Sequence, residues 1–94
     1  MPYPMPEVER LIAEKVRQEF DRLEGLAKEE RVASTSRHVH NMHPWRGILE
    51  VADDVDAHMI IMASHGRSGL ASAVLGSQAQ NVLAHSKIPV LIYR

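Results

Sequence analysis

Glycines, small polar residues and one arginine cluster between residues 63 and 77, directly after the apolar run at residues 58–62. Two glycines in a turn let the backbone approach a bulky anion, and amides at the start of a following helix point toward negative charge. The segment therefore predicts a buried strand that leads into a phosphate-binding loop. It is neither a Walker A motif nor a dinucleotide-binding fingerprint, because it lacks the Gly-Lys-Ser/Thr ending and the three-glycine spacing.

Four small residues of this segment have a regular spacing: Ala63 and Gly66, then, after nine residues, Gly76 and Ser77. The spacing resembles the nucleotide-binding signature of the universal stress protein family, Gly-x-x-Gly, nine residues, Gly-Ser/Thr. Three of the four positions match, and alanine replaces the first glycine. The resemblance is carried by roughly the last fifty residues, and its other parts are His43-Pro44, the run Met59–Met62 and the ending His85–Ile92.

The resemblance implies an α/β fold of three layers, with a parallel sheet of the adenine nucleotide alpha hydrolase-like type that lacks the first two of its five strands. It also implies a role in the stress response and ATP, with magnesium, or a related adenine nucleotide as a weakly bound ligand. The nucleotide-binding residues that it implies are Ala63, Gly66, Arg67, Gly69, Gly76, Ser77 and Gln78.

Backbone donors are expected to carry most of this binding. The amides of Gly66 and Arg67 would approach the terminal phosphates, and the Arg67 side chain adds a cation. Gly76 would leave room for the ribose–phosphate backbone, while the Ser77 hydroxyl and the Gln78 amide would contact a phosphate oxygen. The structural alternative is that the glycines only shape a turn and that Ser77 only caps a helix.

Alanine at position 63 leaves two alternatives open. If the position needs a positive φ, the methyl group costs about 1–2 kcal/mol of strain. If φ is negative there, the alanine is harmless.

Apolar periodicity predicts three helices. The first begins at Pro6, runs for about five turns and ends at Gly25 or within residues 28–30. The second begins at Pro44, and the third begins with a capping box formed by Ser77 and Gln80. The residues expected to face inward on the second and third helices are Trp45, Ile48, Leu49, Ala52, Val55, Ala79, Val82 and Leu83.

Three segments have strand patterns. Residues 31–41 alternate as in a half-exposed strand, residues 58–62 form an apolar run typical of a parallel strand covered on both faces, and residues 89–93 form the last strand. The resulting order of helix and strand, repeated three times, predicts a layered α/β sheet with right-handed crossovers.

The strand at residues 31–41 needs a neighbour, because the family's sheet order, 3-2-1-4-5, places the two missing strands beside it. An orphaned buried backbone group costs about 1–3 kcal/mol. The strand could pair with residues 58–62, a second copy could donate strands, or the chain could be a fragment. We expect a homodimer or higher homo-oligomer that shares strands or joins at residues 90–93, since the family's last strand is often a dimer edge.

Composition narrows the class of protein. The 94 residues predict a single domain, 1–94, and the net charge of −1 gives no electrostatic preference for nucleic acid or an anionic membrane. The chain has no cysteine and no apolar run of membrane-spanning length. The sequence therefore predicts a cytoplasmic protein with no nucleic-acid or membrane partner.

Catalytic and metal sites have little support in the sequence. His38, His40 and His43 could hold a metal, but exposed strand and turn histidines explain the same spacing, and no carboxylate stands at a fitting distance along the chain. The acidic pair Asp53-Asp54 falls on the polar face of a helix. We therefore expect no metal site and no enzymatic turnover. The alternative to nucleotide binding is a homodimerisation or protein-interaction module that has lost it.

Overall fold

The computed structural model describes residues 5–64 and 75–94. Contacts divide the chain into two units, Met1–His38 and Val39–Arg94. The elements in chain order are α1 (Met5–Glu29), α2 (Pro44–Asp54), β1 (Ile60–Ala63), α3 (Ser77–His85) and β2 (Val90–Tyr93). All three predicted helices and two of the three predicted strands are present, so the chain is an α/β protein with a small parallel sheet.

The amphipathic helix α1 accounts for most of the first unit. It has 25 residues, continues through Gly25 and ends at Glu29, at the later of the two predicted ends. Surface ion pairs Arg10–Glu14 at 3.7 Å and Arg22–Glu19 at 2.6 Å span adjacent turns and add a few tenths of a kcal/mol each. The exposed apolar residues of this helix are Leu11, Ile12, Leu23 and Leu26.

Helices α1 and α2 end in the same way, with a non-glycine residue in the left-handed conformation. Arg31 has φ 58° after α1, and Asp56 has φ 55° after α2. At the end of α2 the N–H of Ala57 donates to the carbonyl of Ala52 at 2.8 Å, which is the long hydrogen bond of a Schellman motif. Glycine is usual at the left-handed position, so both helix ends carry some backbone strain.

The prediction of a strand at residues 31–41 is wrong. Residues 32–40 have no regular structure, and β1 has β2 as its only strand partner in the part of the chain that the structure describes. Val32 and Val39 are both exposed. The physical reason is that a strand is stabilised by a hydrogen-bonded neighbour and a buried face, and no described strand pairs with this segment.

The sheet consists of two short parallel strands joined through α3. Ile60 lies opposite Val90, and the register continues to Ala63 opposite Tyr93. One face is covered, since Ile60 is 8% exposed, and Ala79 and Val82 on α3 are 2% and 0% exposed. These three side chains are the fully buried apolar core of the described residues.

The other face of the sheet is open. Ile61, Leu91 and Tyr93 are 62%, 53% and 55% exposed, and Ile61 and Leu91 lie opposite one another. The expectation that residues 58–62 are covered on both faces is therefore wrong. Within this unit α3 packs on the sheet and α2 packs on α3, so none of the described elements of the unit forms a layer on the second face.

Helix α2 begins at Pro44, as predicted. Its expected inward stripe is half-buried except for Val55, which is exposed, and the fully buried residue of the helix is Gly47. A methyl group on Gly47 would lie 3.5 Å from Cβ of Asn41, so the segment before α2 packs closely on this helix. Helix α3 buries Ala79 and Val82 as predicted, whereas Leu83 is exposed. Among residues 5–64 and 75–94, no helix has both the length and the apolar character that crossing a membrane requires.

Candidate functional site

The carboxyl end of β1 and the amino end of α3 meet at one hydrogen bond. The N–H of Gly76 donates to the carbonyl of Ser64 at 2.6 Å, while the N–H of Ser64 donates to the carbonyl of Tyr93 at 2.7 Å. The first bond joins the end of β1 to the start of α3, and the second attaches that junction to β2. Of the expected site residues, Gly66, Arg67 and Gly69 lie outside the described residues.

Ala63 occupies the last position of β1, opposite Tyr93. Among the described residues, the non-glycine positions with positive φ are Arg31 and Asp56. The methyl group of Ala63 therefore causes no backbone strain, and the second of the two alternatives for this position is the right one.

Gly76, not Ser77, is the N-cap of α3. Its φ of −63° and ψ of 156° are values that any L residue adopts, so the backbone conformation gives no reason for glycine. Glycine is also used where another group approaches the backbone closely. The conformation of Gly76 is compatible with this second use of glycine, the close approach of another group to the backbone.

The predicted capping box is wrong. Ser77 is the first helical residue, so its hydroxyl is not in the N-cap position from which it could accept the N–H of Gln80. Instead the Gln80 N–H donates to the carbonyl of Gly76 at 2.9 Å, and its side-chain amide donates to the carbonyl of Leu75 at 2.6 Å. No side chain among residues 5–64 and 75–94 caps α3, and within this part of the chain its first-turn amides keep their hydrogen-bonding capacity.

The junction has donors and few negative charges. The amides of Ser77 and Gln78 stand at the positive end of the α3 dipole, and the buried Ser64 hydroxyl oxygen has no hydrogen-bond partner among the described residues. Along the sequence, all 12 acidic residues precede position 57, whereas residues 57–94 contain three basic residues, Arg67, Lys87 and Arg94. This charge distribution is a signal that the sequence analysis missed, and it favours an anionic ligand at the junction.

Gln78 has a structural role that the sequence did not predict. Its side-chain oxygen accepts the N–H of Trp45 at 3.0 Å, 33 residues away. Trp45 is the second residue of α2, and the N-cap of that helix, His43, makes no side-chain cap. Gln78 thus caps α2 from α3 with its side chain, while its own backbone amide remains in the first turn of α3.

Trp45 holds α2 against both ends of α3. Its ring stacks on His85 with 4.4 Å between centroids and 23° between planes, and the Arg46 guanidinium carbon lies 5.1 Å from its centroid. The His85 ring nitrogen Nδ1 lies 2.8 Å from the carbonyl of Asn81, which orients the imidazole. Gln78 and His85 are two helical turns apart, so the Trp45 contacts position α3, and with it the junction, relative to α2.

The histidine and aspartate residues considered as metal or catalytic candidates lie outside the junction. In residues 5–64 and 75–94, no group of three or more histidine and acidic side chains is placed to hold a metal ion. That range includes His38, His40 and His43. Asp53 and Asp54 are exposed on α2, as predicted.

Comparison with known proteins finds one family. The model of the universal stress protein family matches residues 1–94. A universal stress protein of Thermus aquaticus is 37% identical over 82 residues, which cover 87% of this chain and 56% of the relative. One from Methanocaldococcus jannaschii is 39% identical over 51 residues, covering 54% of this chain and 32% of the relative. Universal stress protein E of Photorhabdus laumondii is 35% identical over 54 residues, covering 57% and 17%. The chain thus spans about half the length of the first relative and less of the other two.

Proposed function

This chain belongs to the universal stress protein family, and we propose that it serves the stress response by binding ATP or a related adenine nucleotide at the β1–α3 junction. The phosphate groups would lie against the first turn of α3. The nucleotide-binding residues in this proposal are Ala63, Gly66, Arg67, Gly69, Gly76, Ser77 and Gln78. A cytoplasmic location and magnesium bound to the nucleotide belong to the same proposal.

The observation that carries the proposal is the start of α3, where no side chain among residues 5–64 and 75–94 caps the helix. The φ and ψ of the N-cap Gly76 do not require glycine, and glycine is the residue that leaves the backbone open to a close approach. The neighbouring amides of Ser77 and Gln78 point from a helix N-terminus, which is a favourable environment for phosphate oxygens. The buried Ser64 hydroxyl supplies one more polar group without a partner among the described residues.

We propose binding without hydrolysis. Residues 57–94 contain no Asp or Glu, so the segment that follows β1 offers no carboxylate to accept a proton from an attacking water. Because residues 57–94 offer no carboxylate ligand, magnesium would bind together with the phosphate groups and keep water molecules as its other ligands. Phosphate release above the rate in buffer would contradict this part of the proposal.

Thermal unfolding with and without Mg-ATP tests the binding site. A ligand present at about ten times its dissociation constant stabilises the folded state by about 1.4 kcal/mol, which raises Tm by several degrees in a domain of this size. Gly76→Ala should lower Tm without nucleotide by a few degrees, because alanine accepts the observed φ but is a poorer N-cap than glycine, and should abolish the rise with nucleotide.

Gly25→Ala is the matched control, because an added methyl group on α1 has no atom within 4 Å. This variant should respond to nucleotide as the natural chain does. An equal nucleotide-dependent rise in Gly76→Ala, or no rise in the natural chain at millimolar Mg-ATP, would refute the site.

A second candidate function, self-association, is favoured by the open face of the sheet. Ile61, Leu91 and Tyr93 form a contiguous apolar strip, and such a strip is stabilised by a covering layer. We propose a homodimer or higher homo-oligomer that covers this face or extends the sheet from the outer edge of β2.

Sedimentation velocity tests self-association. We expect Leu91→Lys to shift the protein toward the monomer, because it places a charge at the centre of the strip, while Leu83→Lys on the exposed side of α3 serves as the control. A folded monomer of the natural chain at micromolar concentration would contradict the proposal.

A further inference from the structure

A cavity lies at the C-terminal end of α3. It has a volume of about 360 Å³ and is formed by the last turns of α2, the start of β1 and the turn after α3. Helix α3 has nine residues and is therefore about 13 Å long, with Gly76 before its first turn and His85 at its last. The cavity is thus separate from the β1–α3 junction, and no residue proposed for nucleotide binding lines it.

The more buried part of the cavity lining is apolar and the exposed part includes charged residues. Ile60 is buried, Leu49 and Ile88 are half-buried, and all three contribute aliphatic surface. Volumes of a few hundred Å³ with an apolar base and a few polar groups are typical of sites for small molecules.

The charges of the two sides are opposite. Glu50, Asp53 and Asp56 stand on the α2 side, and Lys87 stands on the α3–β2 side. Within the described residues, these carboxylates make no ion pair with Lys87 or with any other group. The two sides are therefore not neutralised by one another across the cavity.

The acidic side lies at the negative end of the α2 dipole. Asp53 is in the last turn of α2 and Asp56 lies just beyond it, while Glu50 precedes that turn, and the last turn contains no basic residue. Negative charge at this end of a helix is unfavourable. A ligand with a positive group would relieve this repulsion.

Two hydrogen-bonded turns fix the backbone on the two sides of the cavity. The Ser86 hydroxyl donates to the carbonyl of Ile88 at 2.7 Å and accepts the N–H of Ile88 at 3.1 Å, which fixes the turn carrying Lys87. The Schellman bond between Ala57 and Ala52 fixes the end of α2 that carries Asp56. Because both sides are already ordered, binding would require little further loss of conformational entropy.

We propose that this cavity binds a small zwitterion with an aliphatic side chain, that is, a free α-amino acid of the leucine type. Its ammonium group lies against the α2 carboxylates, its carboxylate meets Lys87, and its side chain covers Ile60 and Ile88. A purely cationic ligand would leave Lys87 unused, and a purely anionic ligand would face three carboxylates. The assignment does not depend on the nucleotide proposal.

Amide chemical shifts of the full chain test the assignment. We use three probes of equal carbon skeleton: L-leucine, leucinamide without the carboxylate, and 4-methylpentanoate without the ammonium. Leucine should shift the amides of Ala57, Ile60 and Ile88 with saturation near or below about 10 mM, and leave that of Gly76 unchanged. Leucinamide and 4-methylpentanoate should each bind at least about tenfold more weakly, the factor that corresponds to 1.4 kcal/mol.

Lys87→Met should weaken leucine binding by a similar factor, and Lys28→Met, the same change on the exposed side of α1, should not. The fluorescence of Trp45 gives a second readout of leucine binding, because its stacking partner His85 lines the cavity. No shift with leucine at about 10 mM, or equal binding of leucinamide or of 4-methylpentanoate, would overturn the proposal. Undiminished binding to a folded Lys87→Met variant would overturn it as well.

Discussion

Replacing Gln78 with methionine removes the cap of α2 while keeping the length and the helix preference of the side chain. The Gln78 oxygen accepts the Trp45 N–H at 3.0 Å, and the N-cap His43 makes no side-chain cap that could replace it. Loss of a helix cap costs about 0.5–2 kcal/mol, typically about 1. For a domain below 100 residues, about 1 kcal/mol corresponds to a fall in Tm of about 4–8 °C.

Gln78→Glu is the matched rescue variant. Its carboxylate can accept the same N–H, and it places negative charge near the N-termini of α2 and α3, where negative charge is favourable. We therefore expect Gln78→Glu to keep or raise Tm, and to weaken nucleotide binding because the charge repels phosphates. The two effects separate the structural role of the side chain from the ligand-binding role of the backbone amide.

The fluorescence of Trp45, the only tryptophan of the chain, reports the unfolding of the unit in which Gln78 acts. Gln18→Met on the exposed side of α1 is the control and should leave the transition in place. The reasoning is refuted if Gln78→Met unfolds at the temperature of the natural chain. It is also refuted if Gln78→Glu is destabilised as much as Gln78→Met.

Three further changes test the packing and the backbone. Val82→Ala should lower the free energy of unfolding by about 2 kcal/mol, because Val82 is fully buried. Leu83→Ala should lower it less, although it removes more atoms, because Leu83 is exposed. Denaturant titrations of the two variants compare these free energies. Gly25→Ala should raise the helical signal in far-ultraviolet circular dichroism and stabilise α1 by about 0.5–1 kcal/mol, since the added methyl group is unobstructed; an unchanged helical signal would contradict this. Asp56→Gly should raise Tm relative to Asp56→Ala, because glycine alone relieves the left-handed conformation at φ 55°; equal Tm values would show that this strain is negligible.

The helices could be predicted from the sequence because their signals are local. Apolar spacing of three and four, Pro6 and Pro44 at helix starts, and charged residues between them are all contained in one segment, and each predicted helix is present. The spacing of Ala63, Gly66, Gly76 and Ser77 was also sufficient to indicate the family that the comparison then identified. Of these residues, Ala63 ends β1, and Gly76 and Ser77 begin α3 at the β1–α3 junction.

Contacts with distant segments decided the rest. Residues 32–40 alternate like a strand but pair with no described strand. Ile61 belongs to an apolar run but is 62% exposed, so a pattern alone did not determine strand formation or burial. The cap of α2 by Gln78 joins positions 33 residues apart, which no local pattern contains. Hydrogen bonds and burial require two partners, and a local sequence signal describes one of them. The sequence therefore determined the helices and the family, whereas the tertiary structure decided which face of the sheet is covered and which side chains hold the helices together.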